Sequence, residues 1–331
     1  MCDENGDTMI RKILKFVDDT KVIAAVNGED DYEKLQEELK PIYNWSECNN
    51  MSWNNSKFKE LRIGMNRNLE DCLLFTPGYE NVLVPEQNVK DLGVLIDYKL
   101  SYKDQRDRVL KKAKNKASWV LRTFKSRKVN IMKRLWRTII QPHLDYACLL
   151  WSPVGEICEI KRMESILRAF TKKCKGLWNL PYHERLKKIG LMSQERRVER
   201  YKILYLKKML LGKVPNLGIS VNFESRNGPI LGLKRSNRGS NHVKVLRDRT
   251  LLVEGVRIFN MVPRKLREYD GSYLGFKNCI DKWLNEVPDI PRDLGNEPYA
   301  RNIDGKPSNS LKDWAKIINF DDSWVPDKKV R

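Results

Sequence analysis

Short apolar runs near the N-terminus of this 331-residue chain alternate with polar turns, and they predict a β-hairpin before anything helical. Ile13 and Leu14 read as one strand, and Val22, Ile23, Ala24 and Ala25 as its partner, with Phe16-Val17-Asp18-Asp19-Thr20-Lys21 at the tip. Tyr32, Leu35, Leu39 and Ile42 then recur at helical spacing with charges between them, so this helix should lay its apolar face on the hairpin's sheet. Pro41 marks a break, or a kink carrying the helix on toward Trp45. Strand candidates follow at Phe58–Ile63, Val82–Val84 and Val94–Ile96, separated by turn segments such as Thr76-Pro77-Gly78. Strand, helix and further strands in one small region read as α+β.

Near residue 100 the period changes. Val109, Ala113, Ala117, Val120 and Phe124 form a helical stripe that Leu110 and Leu121 widen. Further stripes use Ile131, Leu135, Ile139 and Ile140 up to Pro142, then Ile160, Met163, Ile166, Leu167 and Phe170, then Val198, Tyr201, Leu204, Tyr205 and Met209. Each is core of a helical bundle, because an amphipathic helix must bury its apolar face. Beyond residue 218 the pattern weakens: Gly228–Ser240 reads as a loop or connector, Leu251–Phe259 and Phe276–Trp283 as helices, and 286–310, with four prolines, as irregular chain. Three regions result, 1–100, 101–217 and 218–331.

Charge divides along the same line. Residues 1–100 hold 12 Lys/Arg against 19 Asp/Glu, and residues 101–331 hold 51 against 24. The excess concentrates on the helical stripes: 103–137 carries 14 Lys/Arg with only Asp104 and Asp107 as acids, and 161–213 carries 16 against four glutamates. Ordinary solvated helices mix their signs, so one-signed faces point to a polyanion, with a plain basic surface as the bland alternative. Trp119, Trp136, Trp151 and Trp178 offer either core or stacking surfaces for bases. The seven cysteines show no C-x-x-C spacing and read as reduced thiols. No signal peptide and no membrane-spanning run is legible, and the reading is a soluble intracellular protein of nucleus or cytoplasm. His143, His183 and His242 form no catalytic set, and no P-loop or dinucleotide fingerprint is present.

Two adjacent carboxylates on a turn, Asp18 and Asp19, are a natural pair of Mg²⁺ ligands, against the plainer reading of an acidic turn. Phe16-Val17-Asp18-Asp19-Thr20-Lys21 resembles the aromatic-Ala-Asp-Asp signature of reverse transcriptases from LINE-type (non-LTR) retrotransposons of the jockey-like group, with Val17 in place of alanine. Trp45, Met51, Asn54, Lys57 and Gly64 follow in that family's order. Lys90-Asp91-Leu92-Gly93-Val94-Leu95-Ile96-Asp97 resembles its primer-gripping Leu-Gly hairpin. Tyr146 to Pro153, Glu164, Arg168-Ala169-Phe170-Thr171, Tyr182, Glu184-Arg185-Leu186, Arg196-Arg197 and Tyr201 continue the match. Phe259-Asn260-Met261-Val262-Pro263, Phe276-Lys277 and Ser308-Asn309-Ser310-Leu311-Lys312-Asp313-Trp314 extend it through nearly the whole chain.

The resemblance implies the last part of a polymerase palm in 1–100, a basic helical thumb in 101–217 and a post-thumb region in 218–331. It implies Mg²⁺ on Asp18 and Asp19, a general-acid role for Lys57 toward the leaving pyrophosphate, and a primer contact at Leu92 and Gly93. Lys111, Lys112, Lys114, Lys116 and Arg122 would face the phosphates of an RNA template paired with a DNA primer. The family's fingers and its first metal-binding aspartate belong upstream of the Asp-Asp hairpin, so the expectation is a fragment of an RNA-directed DNA polymerase, inactive in isolation. A non-catalytic nucleic-acid-binding remnant and a basic helical protein-interaction module stay open beside it.

Overall fold

Ile10–Phe16 (β1) and Asp19–Ala24 (β2) pair antiparallel around a two-residue loop, Val17-Asp18, with Phe16 opposite Asp19. The computed structural model describes residues 10–51, 54–64, 74–75, 82–216, 219–222, 230–233, 250–291 and 309–323. Within them the chain is α+β and divides into two compact units, 1–104 and 105–331.

In the first unit a helix, α1 (Asp30–Cys48), opens on Asp30, Asp31 and Glu33, acids that suit the positive end of a helix. It continues through Pro41 to Cys48, so the proline does not end it. Tyr32, Leu35 and Leu39 are buried with Leu74 and Leu83, and Val22, Ala24, Ile42 and Phe58 pack against them. The expected helix-on-hairpin packing is present, over a small core. Leu74–Phe75 (β3) pairs with Val82–Leu83 (β4), and Asn88–Asp91 (β5) with Val94–Asp97 (β6). Phe58–Ile63 is not a strand. Its one ladder contact among the described residues is Glu60 against Pro85, whose missing N–H cannot extend a ladder. Thr76-Pro77-Gly78 lies outside the described residues.

The second unit is mainly helical. Its helices are α2 (Lys103–Thr123, begun at the end of the first unit), α3 (Val129–Leu135), α4 (Gln141–Asp145), α5 (Cys148–Trp151), α6 (Ile157–Lys172), α7 (Tyr182–Ile189) and α8 (Gln194–Leu210). The stripes expected on α2 and α6 are buried: Val109, Leu110, Ala113, Ala117 and Val120 on the first, Ile160, Met163, Ile166, Leu167 and Phe170 on the second. Of the stripe expected at 131–140, Ile140 is fully buried, but Ile131 is exposed and Leu135 and Ile139 are only half-buried; Met132 and Trp136 are the other fully buried side chains there. Trp136–Ile140 is a π-helical turn in which Gln141 N–H donates to the Trp136 carbonyl five residues back. Pro142 has no N–H to offer Thr138, and widening the turn is a common way to absorb that loss.

A core cluster joins α8 to the elements that follow it. Ile203, Leu206 and Met209 cluster with side chains of α9 (Leu251–Phe259), α10 (Arg264–Arg267), α11 (Tyr273–Glu286), α12 (Leu311–Trp314) and α13 (Phe320–Ser323). Gly228–Ser240, expected as a loop, holds the strand β8 (Ile230–Leu233) paired with β7 (Ile219–Asn222). The Asn260 side chain fixes it by accepting from Leu231 N–H at 2.8 Å and donating to Leu231 C=O at 2.9 Å. Helices were expected at Leu251–Phe259 and Phe276–Trp283, and α9 and α11 occupy those places. Most of 286–310 lies outside the described residues.

Candidate nucleic-acid interface

Asp18 and Asp19 are exposed at the tip of the first hairpin, Asp18 in the loop and Asp19 at the start of β2. Val17 beside them adopts φ 58°, a left-handed backbone that a β-branched residue rarely takes, and is 78% exposed. Lys57 closes a 3₁₀ turn, Asn55–Lys57, and is exposed. Among the described residues no hydrogen bond or ion pair joins it to either aspartate. Nor does any group of three or more His, Cys, Asp or Glu able to hold a metal ion occur among them. Mg²⁺ demands near-octahedral oxygen ligation, and two carboxylates on different parts of one turn supply too little of it. The described residues do not by themselves fit the ion.

Leu92 and Gly93 form the two-residue loop between β5 and β6, with φ of 44° and 84°. Two positive φ values in succession are the requirement of a hairpin turn of the primed kind, which glycine meets freely and leucine at a cost. The two hairpin tips are tied within the first unit. Lys21, on β2, donates to the carboxylate of Asp91 at the end of β5. Both partners are partly exposed, so the pair contributes little to stability, but it sets the Asp-Asp and Leu-Gly loops on connected strands.

Asp97 is a positioning residue that the sequence pattern did not reveal. Its carboxylate accepts from the N–H groups of Lys99 (3.1 Å), Ser101 (3.0 Å) and Tyr102 (2.6 Å), and holds Leu100 and Tyr102 at positive φ. Asn88 donates to Asp104 at 2.9 Å. Together they fix the turn from β6 into the first residues of α2.

On α2 the buried side chains Ala113, Ala117 and Val120 leave Lys111, Lys112, Lys114, Lys116 and Arg122 exposed. Among the described residues no ion pair holds any of these five. Lys116 instead lies 5.8 Å from the Trp119 ring centroid, and Trp119 also meets Phe124 edge-on. The acids of this neighbourhood are committed elsewhere: Arg106 is paired with Glu156 and Glu159, and Arg162 with Asp107 and Glu159. From Arg108 to Leu144 the chain contains no Asp or Glu. The His143 imidazole is held below its usual range by burial and then by the charges of Lys112 and Lys116.

The basic residues of 161–213 divide differently. Arg185, Arg196, Arg200, Lys202 and Lys207 are buried, so the one-signed face read from sequence is partly a structural network. Arg196, with no exposure, donates to the carbonyls of Pro288 (3.1 Å) and Asn309 (3.0 Å). Arg197 forms a forked pair with Asp145 at 2.8 and 2.6 Å, and Arg200 pairs with Asp281. Lys207 donates to Tyr269 C=O at 2.7 Å, and burial pushes the ammonium groups of Lys202 and Lys207 down. Glu164 accepts from the Tyr182 hydroxyl and from Gln194 N–H; burial pushes its carboxyl up to about 8, against the opposing effect of those bonds. The cations left exposed on this stretch include Lys172, Lys173, Lys175, Lys187 and Lys188. Trp136 and Trp151 are core, whereas Trp119 is 44% and Trp178 64% exposed.

No helix among the described residues is long and apolar enough to cross a membrane. Among known proteins, the chain is similar to the uncharacterized protein B0403.1 of Caenorhabditis elegans, 26% identical over 122 residues. The match covers 36% of this chain and 59% of that protein's length. No family model and no solved structure matches the chain.

Proposed function

We propose that this chain binds nucleic-acid duplex through its phosphates, as the end of the palm, the thumb and the post-thumb region of a LINE-type reverse transcriptase. The observation that carries the reading is the set Lys111, Lys112, Lys114, Lys116 and Arg122, exposed on one helix within an acid-free stretch and joined by no ion pair among the described residues. Exposed cations without partners keep their full interaction with an approaching polyanion, whereas cations such as Arg197 and Arg200 have already spent theirs on carboxylates. The linked Asp-Asp and Leu-Gly hairpins agree with palm ancestry, where RNA template and DNA primer would be the natural partners. No nucleotide-transfer step is assigned to this chain, because its described carboxylates make no metal cage.

Phosphate contacts position a duplex without reading its sequence. If about six to ten phosphates are engaged, log K falls with log salt at a slope of roughly −5 to −9 on duplex DNA. Replacing Lys111, Lys112, Lys114 and Lys116 by Ala flattens that slope by up to about 4 and leaves base preference unchanged. An RNA–DNA hybrid binds at least as well as DNA. Fluorescence anisotropy over a salt series checks this. Absence of binding at low salt, or binding to an acidic protein alone, overturns the reading.

A further inference from the structure

Trp178 is, among the described residues, the most exposed tryptophan of the helical unit, and nothing in the duplex reading uses it. It sits on the connector between α6 and α7. Cys174 and Leu177 are buried and anchor that connector, and Leu177 N–H donates to Cys174 C=O at 3.2 Å across a turn with Gly176 at φ 76°. Glycine at that turn position takes the positive φ without strain, so the fixed turn presents Lys175 and Trp178 outward. The backbone N–H of Lys175 donates to the carbonyl of Arg127 at 2.8 Å, which brings the α2–α3 connector alongside. That second connector is itself fixed: the Arg127 guanidinium caps α2 on the carbonyls of Phe124 and Leu121, the latter at 2.5 Å. Lys125, Lys128, Lys173 and Lys175 are exposed on the two connectors and Lys172 at the end of α6, and Ser165 to His183 contains no acid.

We propose that these two connectors form a binding site for single-stranded nucleic acid, in which Trp178 stacks on an unpaired base and Lys173, Lys175, Lys125 and Lys128 follow the flanking phosphates. An exposed indole fixed among exposed cations supplies both interactions that sequence-tolerant single-strand binding uses. A paired strand hides its base faces between neighbours, so the indole favours an unpaired segment over continuous duplex. Trp119 is the poorer platform, since Lys116 and Phe124 already occupy its surroundings. The proposal rests on the chain being a nucleic-acid binder, but not on the α2 face.

The test uses the full chain with fluorescein-labelled oligo-dA of about 15 nucleotides, of the order of a single-strand site, and separately a blunt duplex. Trp178→Ala should weaken oligo-dA binding about tenfold, the effect of one lost stack, and leave duplex binding unchanged. Trp178→Phe should keep most of the wild-type affinity. The pair Lys173→Ala and Lys175→Ala should lower the salt slope on oligo-dA by about 1.4. No oligo-dA binding at low salt, equal affinity for wild type and Trp178→Ala, an equal loss on blunt duplex, or competition by polyglutamate as effective as by oligo-dA would each overturn the proposal. Trp178-dependent oligo-dA binding without any duplex binding supports it, and removes the α2 reading instead.

Discussion

A buried carboxyl group carries a charge cost that the fold must manage. Glu164 is buried beneath Tyr182, on α6, and its proton affinity is raised by burial to about 8. In the unfolded chain it titrates near its ordinary value of about 4.3. Folding therefore takes up a proton at this site between those two values. The sign follows: the site's stabilising contribution is complete below about pH 4.3 and is lost as pH rises toward 8. Glu199, raised to about 7 by burial against the pull of Arg196, adds a second decline that ends earlier. Glu164→Gln keeps an acceptor for Gln194 N–H and carries no charge. Its melting temperature should change less than that of the wild type between about pH 5 and 8, with the remaining slope fading near 7. Thermal melts across that range check it, and an identical pH profile for the two proteins would exclude a buried ionisable role for Glu164.

Helix ends show how elements are fixed beyond their apolar stripes. Ser193, wholly buried, caps α8 by accepting from Arg196 N–H at 3.2 Å, donates to Asp289 at 2.7 Å and accepts from Asn309 at 3.0 Å. Ser272 caps α11 by accepting from Gly275 N–H at 3.0 Å, but in solvent. Removing an exposed cap costs about 1 kcal/mol. Removing Ser193 also leaves a buried amide and a carboxylate short of a partner, so Ser193→Ala should cost roughly 2–4 kcal/mol and Ser272→Ala about 1 kcal/mol. Urea denaturation of the two variants measures both. Equal costs would mean that the network around Asn309 reorganises without penalty.

Across the whole molecule the two units differ in how much they bury. The first has a core of Tyr32, Leu35, Leu39, Leu74 and Leu83, over separate two-stranded ladders. Ile13, Leu14 and Ile23 of its first hairpin remain exposed, and Phe16 is 63% exposed. A two-stranded ladder with one face open is only marginally stable. The second unit encloses Phe170, Ile203, Phe259, Phe276, Ile280 and Trp283 almost completely. Amide hydrogens of β1 and β2 should therefore exchange faster, by an order of magnitude or more, than those of α2, α6 and α8. Hydrogen exchange read by mass spectrometry tests this, and uniform protection of residues 10–24 would show that the open face is covered in solution.

By itself the sequence determined the periodic parts. The hairpin around Asp18 and Asp19, the helix through Tyr32, Leu35 and Leu39, and the buried faces of α2 and α6 follow from spacing alone, because a side chain's face is set by local geometry. The acid-free stretch around Lys111 to Lys116 is likewise a property of composition. Tertiary structure decided what depends on distant partners. Arg196, Arg200 and Lys202 look like solvated cations in a row of charges, yet carbonyls and carboxylates from 254 to 309 draw them inside. Trp136 and Trp178 are equal as letters, and only the π-turn before Pro142 and the turn at Gly176 make one core and the other surface. The strand at Ile230–Leu233 needs the side chain of Asn260 to hold it. Burial of a charge, unlike the period of a helix, is settled by what the rest of the chain brings to it.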